Sequence, residues 1–378
     1  RNFVGDILLG LKELVRRRLQ FSLITLVVTL IAYLILMING LGVGLNQLAG
    51  SALWKLGGNA IAYAEEAELS IIRSELSNQA LETLQSHPEI AAVAPLGYLA
   101  VNIGGEAEGS DLRSAALLSI DTNTTTAIKM PEIIAGRSLN TNAREILAST
   151  EFLEDSGLSL GDKVLIQIRL AEWPFMIVGE VNAGMFFFQP TIFVSQSFWQ
   201  DLKYSENNKS TPIASVVLLS VENFENLNIK DIDIVSKKEA FANIEGVAGQ
   251  QSTVAALRVF GYLIGALVIG AFFYVLTLQK EAQLGVLKAI GASSTYLFFQ
   301  VMTQTIFISL VGIAISVPLA WATAQGLSQL PTRVPVAFEI ETFITTSIVL
   351  LVMGIIGSLL SGSRIARVDP IIALGQQQ

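Results

Sequence analysis

Four stretches of the chain are apolar over lengths that an ordinary buried element does not need: Leu19–Val43, Val259–Leu278, Leu297–Trp321 and Phe343–Leu360. About 20 predominantly apolar residues suffice for a helix to cross the hydrocarbon core of a bilayer, so each stretch is read as a span. No charged residue falls between Leu19 and Trp54. Arg258 stands at the start of the second span, where its long stem reaches the interface. Pro318 lies near the end of the third, where a stop or kink is tolerated. At the far end of the first span, Asn39, Gly40, Gly42 and Gly44 leave two readings open: a surface small enough to admit a second helix closely, or a fraying end.

Ahead of the first span, Phe3, Ile7, Leu11, Leu14 and Val15 recur as one face of a helix. Lys12, Glu13 and the run Arg16-Arg17-Arg18 surround that face, which suits a helix lying in the membrane interface beside anionic headgroups. No small-residue cleavage site follows and the next apolar run is too long for a signal core, so a cleaved signal peptide is the weaker reading.

Between the first two spans the pattern changes to short strands and helices. Asn59–Ala64, Ile90–Ile103, Leu112–Ile120, Glu145–Ser149, Ile192–Val194, Val216–Val221 and Ile232–Val235 read as strands, and Asn78–Ser86 as a helix. Lys163–Arg169 and Phe175–Val181 read as a hairpin turning at Glu172-Trp173-Pro174, and a helix begins near Gln196. This is an α+β domain large enough to bury its own core. Phe186-Phe187-Phe188 is expected in that core, with contact to a partner as the other option. Ser205–Thr211 reads as a loop tip.

Composition agrees with the spans: 52% of the 378 residues are hydrophobic and 15% charged, where soluble domains carry about 25% charged residues. The charge is unevenly placed. Residues 46–253 hold 13 Lys and Arg against 26 Asp and Glu, enough to account for the chain's acidity; solubility explains this as well as a cationic substrate would, and nucleic acid is disfavoured. The short segments on one side of the membrane hold nine cations, among them Lys280, Lys288, Arg364 and Arg367, whereas residues 322–342 have Arg333 against Glu339 and Glu341. The positive-inside rule then puts both termini and residues 279–295 in the cytoplasm.

The expected fold is a four-span helical membrane protein with an α+β extracytoplasmic domain inserted between the first two spans. Its parts are an interfacial helix at 1–18, spans within 19–45, 254–278, 296–321 and 343–362, and the inserted domain at 46–253. A cytoplasmic helix lies within 279–295, an outer loop at 322–342 and a cytoplasmic tail at 363–378.

Catalytic chemistry is not apparent. The chain has no cysteine, which excludes disulfides, thiolate metal sites and a cysteine nucleophile. Its one histidine, His87, precedes Pro88 and reads as a helix end. There is no phosphate-cradling loop and no nucleophile elbow. Glu65, Glu66 and Glu68, and Glu151, Glu154 and Asp155, read as solvated faces. No span carries an acidic residue in its interior, as ion-coupled transporters usually require, so the energy has to come from elsewhere.

The polar stretch Thr277–Tyr296 between the second and third spans supplies an answer. Gln283–Ser293 reads QLGVLKAIGAS and resembles the signature of FtsX-like, MacB-type ABC transporter permeases. Leu284–Ser293 follow that signature in register, while Gln283 stands where the family has a glutamate. The stretch Arg364–Leu374 (RIARVDPIIAL) resembles the family's closing segment. Ala135-Gly136-Arg137, Gly157–Val164 and Phe175–Glu180 resemble weaker elements of its outer domain.

The resemblance implies a non-catalytic permease subunit. It implies a homodimer working with two cytoplasmic ABC ATPase subunits, which bind the ATP and magnesium; no cofactor is expected in this chain. Residues around Lys280, Glu281, Gln283, Gly285, Leu287, Lys288, Gly291, Ala292 and Ser293 would couple the two proteins, and an extracytoplasmic adaptor or substrate would meet the outer domain. The cargo is expected to be an amphiphile such as haem, lipid, peptide or drug, with Tyr33, Met37 and Tyr262 as lining residues of a lateral cavity. The other function considered is a non-transporting regulator that activates an extracellular cell-wall hydrolase.

Overall fold

The computed structural model describes residues 18–106, 111–121, 128–169, 171–204, 212–223, 227–329 and 334–367. Residues 1–17 of the expected interfacial helix, the loop tip Ser205–Thr211 and most of the closing segment, after Arg367, lie outside the described residues. The chain divides into two units, Leu45–Gln250 and the remainder on either side of it.

The first helix, α1 (Arg18–Lys55), is longer than the apolar run that predicts it, because nothing at Gly40, Gly42 or Gly44 breaks it. The break comes at Gly50, whose backbone (φ −168°, ψ 35°) leaves the helical region. The carbonyls of Ala49 and Leu48 there accept hydrogen bonds from the amides of Phe187 and Phe188, each at 2.9 Å. Those two phenylalanines hold φ of 50° and 61°, a region that bulky side chains seldom occupy. Phe186 is buried and Phe188 is 41% exposed, so the aromatic run is split between core and surface.

The unit Leu45–Gln250 contains two sheets. The first comprises β1 (Ala60–Ala64), β2 (Ile90–Leu96), β11 (Val216–Val221) and β12 (Ile232–Ser236), antiparallel throughout in the order β12-β1-β11-β2. The helix α2 (Asn78–Ser86) is capped by Ser77 at its start and by His87 at its end, as the sequence suggests, and packs Leu84 against one face of this sheet.

The second sheet is closed. β3 (Tyr98–Gly105), β4 (Arg113–Ile120), β6 (Glu145–Ser149), β7 (Lys163–Ile168), β8 (Ala171–Val181) and β10 (Gln189–Ser195) pair in a ring, completed by parallel pairing of β10 with β4. β5 (Ile133–Gly136) and β9 (Met185–Phe186) are short additions. Alternate residues from the six ring strands point inward: Val101 and Ile103, Ala115 and Leu117, Ile146 and Ala148, Val164 and Ile166, Phe175 and Ile177, Ile192 and Val194. This is the period of two that one buried face imposes. Phe152 of α3 (Thr150–Ser156) and Trp199 of α4 (Gln196–Tyr204) join this interior. The strands' other faces meet the first sheet, the end of α1 and α5 (Lys237–Ala242) in a second core.

Two local expectations are corrected. Ile90–Ile103 is two strands belonging to different sheets, separated at Gly97, against which the Trp199 ring packs and whose amide donates to Ser119 Oγ at 2.6 Å. Glu172-Trp173-Pro174 is not a turn but lies inside β8. Pro174 pairs with Leu165, and β8 acquires its second neighbour only from Met176 onward, so the missing amide proton leaves no ladder bond unmade.

Glu145 is nearly buried and accepts both arms of the Arg137 guanidinium at 2.8 and 2.6 Å and the Asn140 amide at 2.9 Å. The Arg137 hydrogen bonds, chiefly, hold its carboxyl below the usual range. A carboxylate depressed in the folded state supports stability above its unfolded pKa, near 4.5, and loses that support as pH falls through the lower folded value. Thermal unfolding followed by tryptophan fluorescence should therefore fall in midpoint below about pH 4.5, and Glu145→Gln should flatten that part of the profile. An unchanged profile in the variant would rule out this pair as its source.

The other unit is helical: α1 up to Gly44, then α6 (Val247–Gln279) from Gln251, α7 (Glu281–Ala289), α8 (Ser294–Ser328) and α9 (Ile340–Arg367). Leu19, Leu23, Leu26, Leu30 and Leu34, spaced four, three, four and four, are each more than half exposed. A stripe of that kind on one helix is a lipid face. The opposite face packs Phe21, Ile24 and Val28 on Ile269, Phe273 and Ile308. Among the described residues three helices, α1, α6 and α8, are long and apolar enough to cross a membrane, and Ile340–Ile356 of α9 forms a shorter apolar stretch. The expected fourth span is thus not among those three. The glycines at 40, 42 and 44 serve close approach rather than fraying: they lie against Phe338, Val254 with Arg258, and the Pro335 carbonyl.

Candidate functional site

The stretch that resembles the family signature forms α7, a nine-residue helix set between two membrane-length helices. Its end is built by its sequence. Gly291 has φ of 101°, its amide donates to the Lys288 carbonyl at 3.1 Å, and that of Ala292 to Leu287 at 2.9 Å. This pair of bonds with glycine at the left-handed position is a Schellman ending. Leu287 and Ala292 accompany it by packing on Leu284, Leu297 and Val301. Ser293 then accepts from the Tyr296 amide at 3.2 Å and starts α8. Gly291, Ala292 and Ser293 thus fix the angle between α7 and α8.

The predicted residues divide by direction. Gln283 is exposed and Lys288 half-buried; Gly285 is buried. The side chain of Glu281 lies outside the described residues. Lys280, expected among the coupling residues, is 4% exposed. Its Nζ donates to Gln304 Oε1 at 2.7 Å and sits 5.1 Å from the centre of the Phe21 ring. The reason is position: Lys280 ends α6 on the same side as buried Phe273, Leu276 and Thr277, so its stem continues the packed face. It ties α6 to α1 and α8 rather than offering a surface charge. The sequence reading missed Val286 and Ile290, 38% and 77% exposed. Their spacing, with Gln283, marks one helix face, and only the burial of the other face shows that this one is free.

A second feature lies at the other end of the spans. A recess of about 390 Å³ is lined by Asn39, Arg258, Tyr262, Glu339, Glu341 and Thr346, with further residues of α9. Buried Asn39 donates to Tyr262 Oη at 3.1 Å and to Thr346 Oγ1 at 2.8 Å. Of the three residues expected to line a cavity, Tyr262 does so. Tyr33 instead donates to Thr323 at 3.2 Å, and Met37 is half-buried away from the recess. At 100° per residue, Met37 and Tyr33 point about 200° and 120° away from Asn39 around α1.

Residues 255–370 match the FtsX-like permease C-terminal family model. Over 370 residues, covering 98% of this chain and 99% of the relative, the sequence is 26% identical to a Staphylococcus epidermidis protein provisionally named hemin transport system permease protein HrtB. It is 23% identical over 296 residues, 78% of each chain, to an uncharacterized ABC transporter permease of Mycobacterium tuberculosis. The periplasmic region of MacB from Actinobacillus actinomycetemcomitans aligns with 51% of this chain and 96% of that structure, at 15% identity and a TM-score of 0.34. Residues 255–370 thus carry an FtsX-like permease C-terminal domain, and the chain as a whole is similar to ABC transporter permeases.

Proposed function

We propose that this permease couples a separate cytoplasmic ABC ATPase to the export of an amphiphile. The observation that carries the reading is α7: a short helix capped at its end, packed on its inner face and bare on the outer one at Val286 and Ile290. An apolar pair of this kind on an otherwise polar segment is what a partner's hydrophobic cleft takes up. ATP-driven closure of two such ATPases would move α7, and the Lys280–Gln304 bond and the Gly291 turn would pass that movement to α6 and α8. In this reading α9 is a fourth span, both termini are cytoplasmic, two copies of the chain assemble, and Leu45–Gln250 lies outside. Similarity to relatives named for hemin transport favours a hemin-like cargo among the amphiphiles.

Ile290→Glu places a charge at the most exposed apolar position of the helix. It should lower co-purification of the ATPase subunit by about ten-fold or more, the scale of an interface hot spot, while the permease is still recovered from membranes at its normal yield. A complex of undiminished stoichiometry would reject α7 as the docking element.

A further inference from the structure

We propose that Arg258, Tyr262 and Asn39 form a headgroup site that takes one carboxylate of an amphiphile, a proposal that rests on the permease reading and gives its cargo a chemical class. The site's depth follows from α6 itself. From Arg258 to Gln279 the helix rises about 32 Å at 1.5 Å per residue, close to the roughly 30 Å of a hydrocarbon core. Arg258 and Lys280 therefore mark opposite faces of the membrane, and the recess lies at headgroup level on the face away from α7.

The donors in the recess converge. Asn39 gives one amide hydrogen to the Tyr262 oxygen and another to Thr346. Because Tyr262 accepts from Asn39, its own hydroxyl proton is available to a guest, and no described side chain takes it. The Arg258 guanidinium lies over Gly42, where an added Cβ would stand 2.5 Å from Nη2, so the absence of a side chain at position 42 makes its room. Arg258 Nε is buried without a hydrogen-bond partner, and among the described residues Arg258 makes no ion pair. Glu339 and Glu341 line the same recess without neutralising it at contact distance.

A partly desolvated guanidinium lacking a counter-ion is costly, and a planar carboxylate matches its fork while accepting the Tyr262 proton. The two glutamates set the charge limit. They repel a dianion more strongly than a monoanion and so disfavour a phosphate monoester relative to a carboxylate.

The test uses the full-length permease in phosphatidylcholine nanodiscs, without ATPase, and three fluorescent probes: pyrenedodecanoic acid, its methyl ester and the corresponding alkyl phosphate. The acid should bind about ten-fold or more tightly than the ester, as a charge-assisted hydrogen bond implies. Arg258→Gln should bring the acid down to the ester's affinity, and Arg258→Lys, which keeps charge but not the fork, should fall between. Tyr262→Phe should weaken the acid alone. Unchanged ester binding reports that each variant is folded, and Arg258→Lys with Tyr262→Phe decide the matter if Arg258→Gln is not recovered. Equal binding of acid and ester by the unaltered protein would overturn the site, as would full discrimination in Arg258→Gln. Phosphate binding as tight as the acid would overturn the carboxylate assignment. Since no ATPase is present, loss of acid preference leaves the docking experiment on Ile290 untouched, and failure of that experiment leaves the binding result standing.

Discussion

Replacing Gly291 by valine should reduce permease-dependent ATP hydrolysis by about ten- to thirty-fold while leaving membrane insertion unchanged. An added Cβ meets nothing within 4 Å, so the effect is purely one of backbone. At φ of 101° a β-branched residue bears about 1–3 kcal/mol of strain, and 1.4 kcal/mol corresponds to a factor of ten. The strain is relieved by unwinding the turn, which breaks the Gly291–Lys288 and Ala292–Leu287 hydrogen bonds and re-aims α7 relative to α8. Gly291→Asn, the side chain that tolerates positive φ best after glycine, should keep most of the activity. ATPase assays of the reconstituted complex read both variants; equal activity in Val and Asn variants would remove the turn from the coupling path.

The second large effect is on stability. Trp199 is fully buried within the closed ring, beside Gly97 and Tyr204. Trp199→Ala should cost about 3–5 kcal/mol, a sizeable part of the 5–15 kcal/mol that holds a typical domain together. For a unit of this size about 2–4 °C accompanies each kcal/mol, so the unfolding midpoint should drop by about 10 °C. Trp199→Phe keeps a ring in place and removes an indole N–H that is buried without a partner, and should be far milder. Differential scanning calorimetry of the purified protein measures both, and a shift of under about 2 °C for the alanine variant would mean that the ring interior collapses around the loss.

Much of this was legible in the residues. The period-two alternation and the turn chemistry located most strands of the unit Leu45–Gln250, and the long uncharged runs located the three membrane-length helices. Ring closure was not legible, because β4 and β10 pair in parallel across more than seventy intervening residues, and no local pattern encodes that register. Nor was the break at Gly97: the apolar run continues through it, and only the Trp199 ring and Ser119 reveal why the chain changes sheets. In the candidate site, the sequence placed Lys280 among the coupling residues and did not single out Val286 or Ile290. The structure buries Lys280 and exposes the other two, since three-dimensional packing and not side-chain type decides which side of a short helix is covered.

The position of β1 bears on how the molecule is made. It lies between β11 and β12, pairing Ala60–Ala62 with Val217–Leu219 and Ala60–Ala64 with Ile232–Ser236. Both neighbours emerge from the ribosome some 150 residues after it. Until then this apolar segment has two unpaired edges, the condition under which strands join the wrong chain, and contacts so distant in sequence form slowly. The unit's assembly is therefore timed by its last strands, and the interval before they arrive is when a nascent chain most needs protection.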